Sequence, residues 1–195
     1  MMTDIAEQKK LLRKEALRRR RSLTAAERQE KSRLIAEKLL TDDRIRSART
    51  VLGFFSMKDE VEMEDILRHL LDMGKKVALP LVTGPGIMEA VELKSFADLV
   101  PGDFNIPTVR EDAREIIAPH ELDCIIVPAV AFSDEGYRLG MGGGFYDRYL
   151  VRAEKTDRLA VVFDCQIFPA EGFPREEHDQ QVDSVFTECN TLEIK

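Results

Sequence analysis

The spacing of apolar and polar positions changes along the chain from a helical to a strand-like period. Residues 4–20 contain neither glycine nor proline and are rich in helix-forming residues, which predicts a first helix. Thr24 and Glu27 have the spacing of a capping box, so we expect a second helix from there to about residue 40. The apolar stripe of this second helix consists of Leu34, Ile35, Leu39 and Leu40.

Beyond these helices, short apolar runs alternate with helical segments. The runs that predict strands are 50–55, 75–79 with a stop at Pro80, 87–93 as an edge or hairpin strand, 122–127 and 159–163. We expect further helices over 63–73, ended by Gly74, and over 145–153. Residues 94–121 are expected to be irregular, and a final apolar segment covers 182–187.

Alternating strands and helices predict an α/β protein whose sheet is covered on both faces. We expect a single domain over residues 1–195, with three α/β/α layers and a mostly parallel, mixed, Rossmann-like sheet. A chain of 195 residues with 44% hydrophobic and 33% charged residues is long enough for one well-buried domain.

The composition also bears on the compartment. The three cysteines are odd in number and far apart in sequence, so no disulfide framework is expected, and Cys124 is expected to be a buried thiol. The N-terminal segment has frequent charges and lacks the apolar core of a secretory signal. No apolar run reaches membrane-spanning length. These features predict a cytoplasmic protein without a membrane partner.

The net charge of −7 is unevenly distributed. Eight lysines and arginines lie within residues 9–21, opposed only by Glu15, so the remainder of the chain is strongly acidic. The acidic remainder argues against a general nucleic-acid surface. On a helix, three of these basic residues share roughly one face: Lys9, Arg13 and Arg20. Ordinary surface charge is expected at Arg18, Arg19 and Arg21.

The most informative motif runs from Arg138 to Asp147 and has four glycines within five positions. Glycine permits positive φ and close approach to the backbone, and N–H groups at a helix start bind anions. Asp147 adds a hard oxygen ligand, as a Mg²⁺–phosphate complex needs. The spacing fits neither the dinucleotide pattern GxGxxG nor the Walker pattern GxxxxGK[ST]. The run therefore predicts a different phosphate loop, with a glycine-rich turn that binds nothing as the alternative.

Other segments contribute weaker candidates. Glu60 follows a predicted strand, where open α/β sheets bind ligands, but a plain exposed carboxylate is an equal alternative. Met57 is a candidate for a pocket wall, whereas core packing is the default for Phe54 and Phe55. For Asp183, a metal ligand, a strand-end cap and no role all stay open. Surface positions without metal-ligand spacing are expected for His69, His120 and His178.

The run RLGMGGGFYDRYL closely resembles the signature of the 5-formyltetrahydrofolate cyclo-ligases, also called methenyltetrahydrofolate synthetases. Further segments are similar to that family in order along nearly the whole chain: KKLLRKEALRRRRSLTAAER, GFFSMKDEVEM, Phe104-Asn105-Ile106-Pro107 and LDCIIVPAVAFSDEGYRLG. The resemblance implies ATP-dependent closure of 5-formyltetrahydrofolate to 5,10-methenyltetrahydrofolate, releasing ADP and phosphate, with Mg²⁺ as cofactor. It implies small-molecule substrates, no nucleic-acid or membrane partner, and a cytoplasmic monomer.

The resemblance also implies roles for individual positions. The catalytic set is Lys9, Arg13, Arg138 and Asp147. The ATP-binding set is Lys9, Lys10, Leu11, Leu12, Arg13, Arg138, Leu139, Gly140, Met141, Gly142, Gly143, Gly144, Phe145 and Tyr146. The folate-binding set is Phe55, Met57, Glu60, Met141, Gly142, Gly143, Gly144 and Phe145. The metal ligands are Asp147 and Asp183.

Four positions depart from the family pattern. Phe104 stands where some relatives have tryptophan, a conservative change. Phe145 stands where many relatives have tyrosine, and Met141 and Gly143 supply no charge where some relatives carry basic residues. The positive charge that balances the phosphates would therefore come from Lys9, Arg13 and Arg138. Two other functions remain as alternatives: a sugar-phosphate isomerase-like enzyme that binds its ligand without ATP, and an RNA-binding module built on the basic helix.

Overall fold

The computed structural model describes residues 4–102 and 106–194, and five α-helices form within these ranges. They are α1 (Ile5–Arg21), α2 (Ala25–Thr41), α3 (Asp43–Ser47), α4 (Glu64–Asp72) and α5 (Phe145–Arg152). The predicted capping box of Thr24 and Glu27 starts α2, and Gly74, with φ of 75°, follows the end of α4. The sequence pattern did not predict the short α3. None of these helices is both long and apolar enough to cross a membrane.

The strands are short and belong to three sheets. Their bounds are β1 (Thr50–Leu52), β2 (Lys76–Gly84), β3 (Ile87–Leu93), β4 (Leu99–Pro101), β5 (Pro107–Val109), β6 (Ile116–Ile117), β7 (Cys124–Val127), β8 (Ala131–Ser133), β9 (Arg138–Leu139), β10 (Asp157–Val161), β11 (Ile167–Phe168), β12 (Ser184–Phe186) and β13 (Thr191–Glu193). The main sheet has the order β13-β12-β10-β7-β1-β2-β3-β6. Its five central strands are parallel, and β13, β3 and β6 pair antiparallel at the edges. This arrangement confirms the predicted mixed, mostly parallel sheet.

The two faces of the main sheet bury different side chains, because successive residues of a strand point to opposite faces. Val51 and Cys124 pack with α2, α3 and α4 on one face, whereas their neighbours Leu52 and Ile125 pack with α5 on the other. Burial raises the pKa of the Cys124 thiol, as expected for a structural cysteine. The helices on both faces confirm the predicted three-layer α/β/α architecture.

The basic helix α1 packs on a smaller sheet, which has the order β11-β8-β9. Ala16 of α1 joins an apolar cluster with Val130, Ala131 and Leu139, residues that lead from β7 towards the glycine run. This packing places α1 beside the glycine run, which is distant in the sequence. Arg13 and Gly140, for example, are 127 positions apart.

The predicted stop of a strand at Pro80 is wrong. Pro80 does not end its strand, because β2 continues to Gly84. Since β1 pairs with β2 only as far as Ala78, the strand has a free edge beyond that residue, where a proline is tolerated. The strand β3, predicted as an edge or hairpin strand, forms an antiparallel hairpin with β2, which confirms the second alternative. Its other side pairs with β6. Residues 94–121, expected to be irregular, also contain β4 and β5, which form a two-stranded sheet.

Candidate active site

A cleft of about 380 Å³ lies at the carboxyl ends of β1, β2 and β7. This is the edge at which open α/β sheets bind their ligands. Its walls come from α1, the loop after β1, the end of β2 and the glycine run. The structure brings together most of the predicted site residues here: Lys9, Arg13, Phe55, Met57, Glu60 and all ten residues from Arg138 to Asp147.

The glycine run adopts a backbone that its glycines require. Gly142 and Gly144 have φ values of 103° and 64°, a region that side-chain-bearing residues rarely adopt. Gly144 is the N-cap of α5 and has no side chain to accept hydrogen bonds from the first turn. The N–H groups of that turn therefore remain for another acceptor, and the helix dipole favours a negative one.

Arg138 and Asp147 lie at the two ends of the glycine run and line the cleft. Arg138 Nη2 donates a hydrogen bond of 2.7 Å to Asp147 Oδ1, and the two side chains are 5% and 17% exposed. Arg138 Nε and Tyr146 Oη are buried without a hydrogen-bond partner among the described residues. Burial also raises the pKa of Tyr146, so its hydroxyl stays protonated. Orphaned buried polar atoms beside a carboxylate are suited to binding a polar ligand.

The helix α1 brings two cations to the cleft, one turn apart. Arg13 Nε donates a 2.8 Å hydrogen bond to the carbonyl of Gly140, which joins the helix to the glycine run. Lys9 Nζ contacts Asp179 Oδ2 at 2.6 Å and Glu176 Oε2 at 2.7 Å. Burial lowers the pKa of Lys9, but the hydrogen bonds to the two carboxylates outweigh it, and the net shift is upward. Lys9 is therefore charged at neutral pH.

Sequence reasoning missed Glu176 and Asp179 as cleft residues. Together with His178 they form a group whose ligand atoms lie within 4.8 Å of one another, a spacing compatible with a metal ion. The Lys9 ammonium contacts both carboxylates and already supplies a positive charge there. All three histidines are exposed, as predicted, and His178 lines the cleft.

Glu60 is oriented by two hydrogen bonds in the loop after β1. Its Oε2 accepts from Met57 N at 2.9 Å, and its Oε1 accepts from Arg20 Nη1 at 3.2 Å. A carboxylate has about four acceptor positions, so Glu60 keeps the capacity to accept further hydrogen bonds from a ligand. Phe55 and Met57 line the cleft beside it, as does Phe54, which also belongs to the core.

Three predicted ATP-binding residues do not line the cleft of the described structure: Lys10, Leu11 and Leu12. Lys10 pairs with Glu7 at the surface, Leu11 is 54% exposed, and Leu12 packs into the cluster around Ala16. Successive residues of an α-helix are rotated by about 100°, so only the face that carries positions 9 and 13 reaches the cleft.

The structure does not bring the two predicted metal ligands together. Asp183 immediately precedes β12, at the amino ends of the parallel strands, whereas Asp147 lines the cleft at their carboxyl ends. Asp183 Oδ2 accepts a 2.7 Å hydrogen bond from Arg158 N, and thereby satisfies a backbone donor at the start of β10. Of the predicted marker at 104–107, Ile106 and Pro107 line the cleft, while Phe104 and Asn105 lie outside the described residues.

Arg148 is a further residue that sequence reasoning missed. Its Nε donates a 2.8 Å hydrogen bond to Gly86 O, and its Nη2 donates to Gly143 O. Gly86 has φ of 69°, and a Cβ there would overlap the Arg148 guanidinium. Arg148 therefore joins the glycine run to the turn between β2 and β3.

Together, the fold and the cleft define an α/β protein with a candidate ligand site at the carboxyl ends of a mostly parallel sheet. The sequence model of the 5-formyltetrahydrofolate cyclo-ligase family matches residues 5–188, and the chain belongs to that family of enzymes. The 5-formyltetrahydrofolate cyclo-ligase of Escherichia coli (strain K12) is 34% identical over 179 residues, covering 90% of this chain and 97% of its own. That of Mus musculus is 34% identical over 191 residues, covering 92% and 93%.

Solved structures agree with this assignment. The NMR structure of the Aquifex aeolicus 5,10-methenyltetrahydrofolate synthetase is 33% identical and has a TM-score of 0.85, covering 96% of this chain and 93% of that chain. A 5,10-methenyltetrahydrofolate synthetase from Mycoplasma pneumoniae is 23% identical with a TM-score of 0.75, covering 92% and 98%, and shows the shared fold. The family resemblance read from the sequence is confirmed.

Proposed function

We propose that this protein catalyses the ATP- and Mg²⁺-dependent closure of 5-formyltetrahydrofolate to 5,10-methenyltetrahydrofolate, with release of ADP and phosphate. The observation that carries the proposal is that one cleft holds both halves of the required site. The glycine run and the α1 cations line one wall of this cleft, which we assign to phosphate, and the loop of Glu60 lines another, which we assign to a polar aromatic ring. Membership of the cyclo-ligase family supports the reaction class.

The triphosphate of ATP would bind along the glycine run. The first-turn N–H groups of α5 have no side-chain cap, and Arg138 Nε is buried without an acceptor, so both can donate to phosphate oxygens. Arg13 lies at the same cleft and adds positive charge. The Lys9 ammonium contacts Glu176 and Asp179 and has one further N–H to donate. These groups are suited to stabilising charge on a phosphoryl group during transfer, which depends chiefly on positioning and electrostatics.

Asp147 is the residue that we propose for Mg²⁺. Its carboxylate lines the cleft, with Oδ1 bonded to Arg138 and Oδ2 accepting no hydrogen bond from the described residues. A free carboxylate oxygen beside an anion-binding backbone is a donor that Mg²⁺ prefers. Mg²⁺ bound there would neutralise charge on the phosphate oxygens. Asp183 stays outside this proposal because it lies at the other end of the strands.

The folate would bind on the apolar side of the cleft. Met57, Val82 and Met141 line it and are 36%, 55% and 60% exposed, so a flat ring system has apolar surface to cover. Glu60 is held at the edge of this surface, where its free acceptor positions can receive the N–H groups of a pterin. Its role in this proposal is orientation of the folate.

The proposed reaction solves the problem of a poorly electrophilic formamide. The γ-phosphoryl group of ATP is transferred to the formyl oxygen, which becomes a leaving group. N10 then attacks the formyl carbon, the carbon–oxygen bond breaks, and the oxygen leaves as part of inorganic phosphate while N10 loses its proton. The chain contributes by holding the formyl oxygen and the γ-phosphate in line within one cleft.

An absorbance assay tests the proposal. Purified protein with ATP, Mg²⁺ and 5-formyltetrahydrofolate is expected to form the methenyl product, with one ADP for each product molecule. Omission of ATP, or chelation of Mg²⁺, is expected to abolish the signal. Folded protein that forms no product would contradict the proposed function, and product without ADP would contradict ATP dependence. The cytoplasmic location and the monomeric state stay predictions from the sequence.

A further inference from the structure

Two of the three residues that α1 buries are cations: Lys9 and Arg20, with Ala16 between them. Arg20 is the more deeply buried cation, with 3% of its surface exposed. A buried charge costs free energy unless it is paired and hydrogen-bonded. The position of Arg20 therefore requires a physical reason.

The partner of Arg20 is Glu60. Arg20 Nη1 lies 3.2 Å from Glu60 Oε1, and the side chains are 4% and 13% exposed. Arg20 Nε is buried without a partner among the described residues, so the contact uses one N–H and not the two parallel ones of the strongest arginine–carboxylate pairs. A buried pair with incomplete hydrogen bonding contributes little net stability. Stability alone is thus a weak reason for this contact.

The geometry of Glu60 gives a better reason. Its Oε2 accepts from Met57 N, and its own N–H donates to the Met57 carbonyl, each at 2.9 Å. With Arg20 on Oε1, both carboxylate oxygens are fixed from within the protein while the group still lines the cleft. Arg20 itself does not line the cleft; it borders a small space behind Glu60.

We propose that Arg20 is a positioning residue for the folate site, which fixes the Glu60 carboxylate so that it accepts hydrogen bonds from the pterin ring. Arg20 acts through Glu60 and does not touch the substrate. This inference rests on the proposed function, because it concerns the site at which the folate binds.

The same helix also reaches the phosphate wall. Arg13 and Arg20 are seven residues apart, which corresponds to about 10 Å along a helix. Arg13 is bonded to the glycine run and Arg20 to the folate loop, so α1 sets the separation between the two walls of the cleft. The predicted common face of Lys9, Arg13 and Arg20 thus serves both substrates.

Four variants of the whole protein test the inference: R20M, R20K, E60Q and the double variant R20M/E60Q. R20M is expected to raise KM for 5-formyltetrahydrofolate about tenfold or more, the loss expected for a charge-assisted hydrogen bond, and to leave KM for ATP within about twofold. R20K keeps the charge and is expected to recover part of the loss. If Arg20 acts through Glu60, the double variant is no worse than E60Q alone.

The control is Arg18→Met, since the Arg18 side chain is 68% exposed and, among the described residues, its hydrogen bonds go to Glu15 on its own helix. An unchanged folate KM in R20M, equal losses for both substrates, or additive losses in the double variant would overturn the inference. If R20M does not fold, R20K and the double variant, which leaves no unpaired carboxylate, provide the same comparison. Wild-type protein without turnover would overturn the proposed function and the inference together, whereas turnover with an unaffected R20M overturns the inference alone.

Discussion

Arg138 and Asp147 are nine positions apart, and their side chains meet in a hydrogen bond of 2.7 Å that closes the glycine run at its base. The backbone between them includes two glycines at positive φ, Gly142 and Gly144. The shape of the loop therefore depends on an ion pair as well as on glycine. The same carboxylate is the group that we propose for Mg²⁺, so the pair joins the structure of the loop to its chemistry.

Removal of the Asp147 charge is expected to abolish most of the activity. Asp147→Asn keeps the shape of the side chain but loses the anionic oxygen, and we expect kcat/KM to fall by about 100-fold or more. Initial rates over a range of Mg²⁺ concentrations measure the effect. The control is Glu154→Gln, an exposed carboxylate just beyond the end of α5. A variant of Asp147 with wild-type rates and Mg²⁺ dependence would remove this residue from the metal site.

Removal of Lys9 and removal of Arg13 are expected to differ in their effect on stability, although we propose that both residues bind ATP. Lys9→Ala leaves Asp179 and Glu176 without their cation, so we expect a loss of about 3 kcal/mol in the free energy of unfolding. Arg13→Ala removes one hydrogen bond to the Gly140 carbonyl and is expected to cost about 1 kcal/mol. Urea unfolding and ATP titration of both variants give the comparison. Unchanged ATP affinity in both would exclude α1 from the nucleotide site.

Arg148 is expected to hold the cleft walls together. Arg148→Ala loses the hydrogen bonds to Gly86 and Gly143, and we expect KM for ATP to rise by about fivefold, equivalent to about 1 kcal/mol. Arg152 is a matched control, because it lies one turn further along α5 and pairs with Glu89 of the same hairpin. Equal effects of Arg148→Ala and Arg152→Ala on KM for ATP would show that the contact of Arg148 with the glycine run does not affect ATP binding.

The amino ends of the strands provide a prediction about pH. Burial, followed by the neighbouring Asp183 carboxylate, raises the pKa of Asp157 above its ordinary value of 3.8, with Asp42 and Asp123 adding to the rise and Arg44 opposing it. Folding thus favours the protonated form, and stability is lost as pH rises through the folded-state pKa. Asp157→Asn is therefore expected to be more stable than wild type at pH 7, by a margin that shrinks as pH falls towards 3.8.

Urea unfolding at several pH values measures that margin. Asp123→Asn is the matched control, since Asp123 Oδ2 accepts from Arg49 N at 2.7 Å and Thr50 N at 2.9 Å. Loss of this charge is expected to lower stability at pH 7. A lower stability of Asp157→Asn at pH 7 would contradict the proposal that burial and the neighbouring carboxylates destabilise the charged form of Asp157.

Local sequence signals predicted the features that depend on neighbours in the chain. The capping box at Thr24 and the end of α4 at Gly74 are of this kind. The prediction that a strand ends at Pro80 was wrong, because a proline ends a strand only where a neighbouring strand needs its N–H group, and β1 stops before that point. The extent of the pairing with β1 cannot be predicted from the residues around Pro80.

Side-chain contacts between residues that are distant in the sequence could not be predicted from local sequence patterns. Lys9 pairs with carboxylates 167 and 170 positions away, and Arg148 contacts a carbonyl 62 positions away. Most of the site residues that the family resemblance implied line the cleft, but as a continuous stretch the implied set also included Lys10 and Leu11, which face solvent. The basic helix likewise suggested RNA binding, yet its cations Lys9 and Arg20 are buried against carboxylates.

The most direct test of the account uses 5-formyltetrahydrofolate labelled with ¹⁸O in the formyl group, incubated with the protein, ATP and Mg²⁺. If the γ-phosphoryl group is transferred to the formyl oxygen, each methenyl product formed is accompanied by one inorganic phosphate that carries the label. Mass spectrometry of the phosphate measures this ratio. Unlabelled phosphate formed alongside the methenyl product would contradict the proposed chemistry.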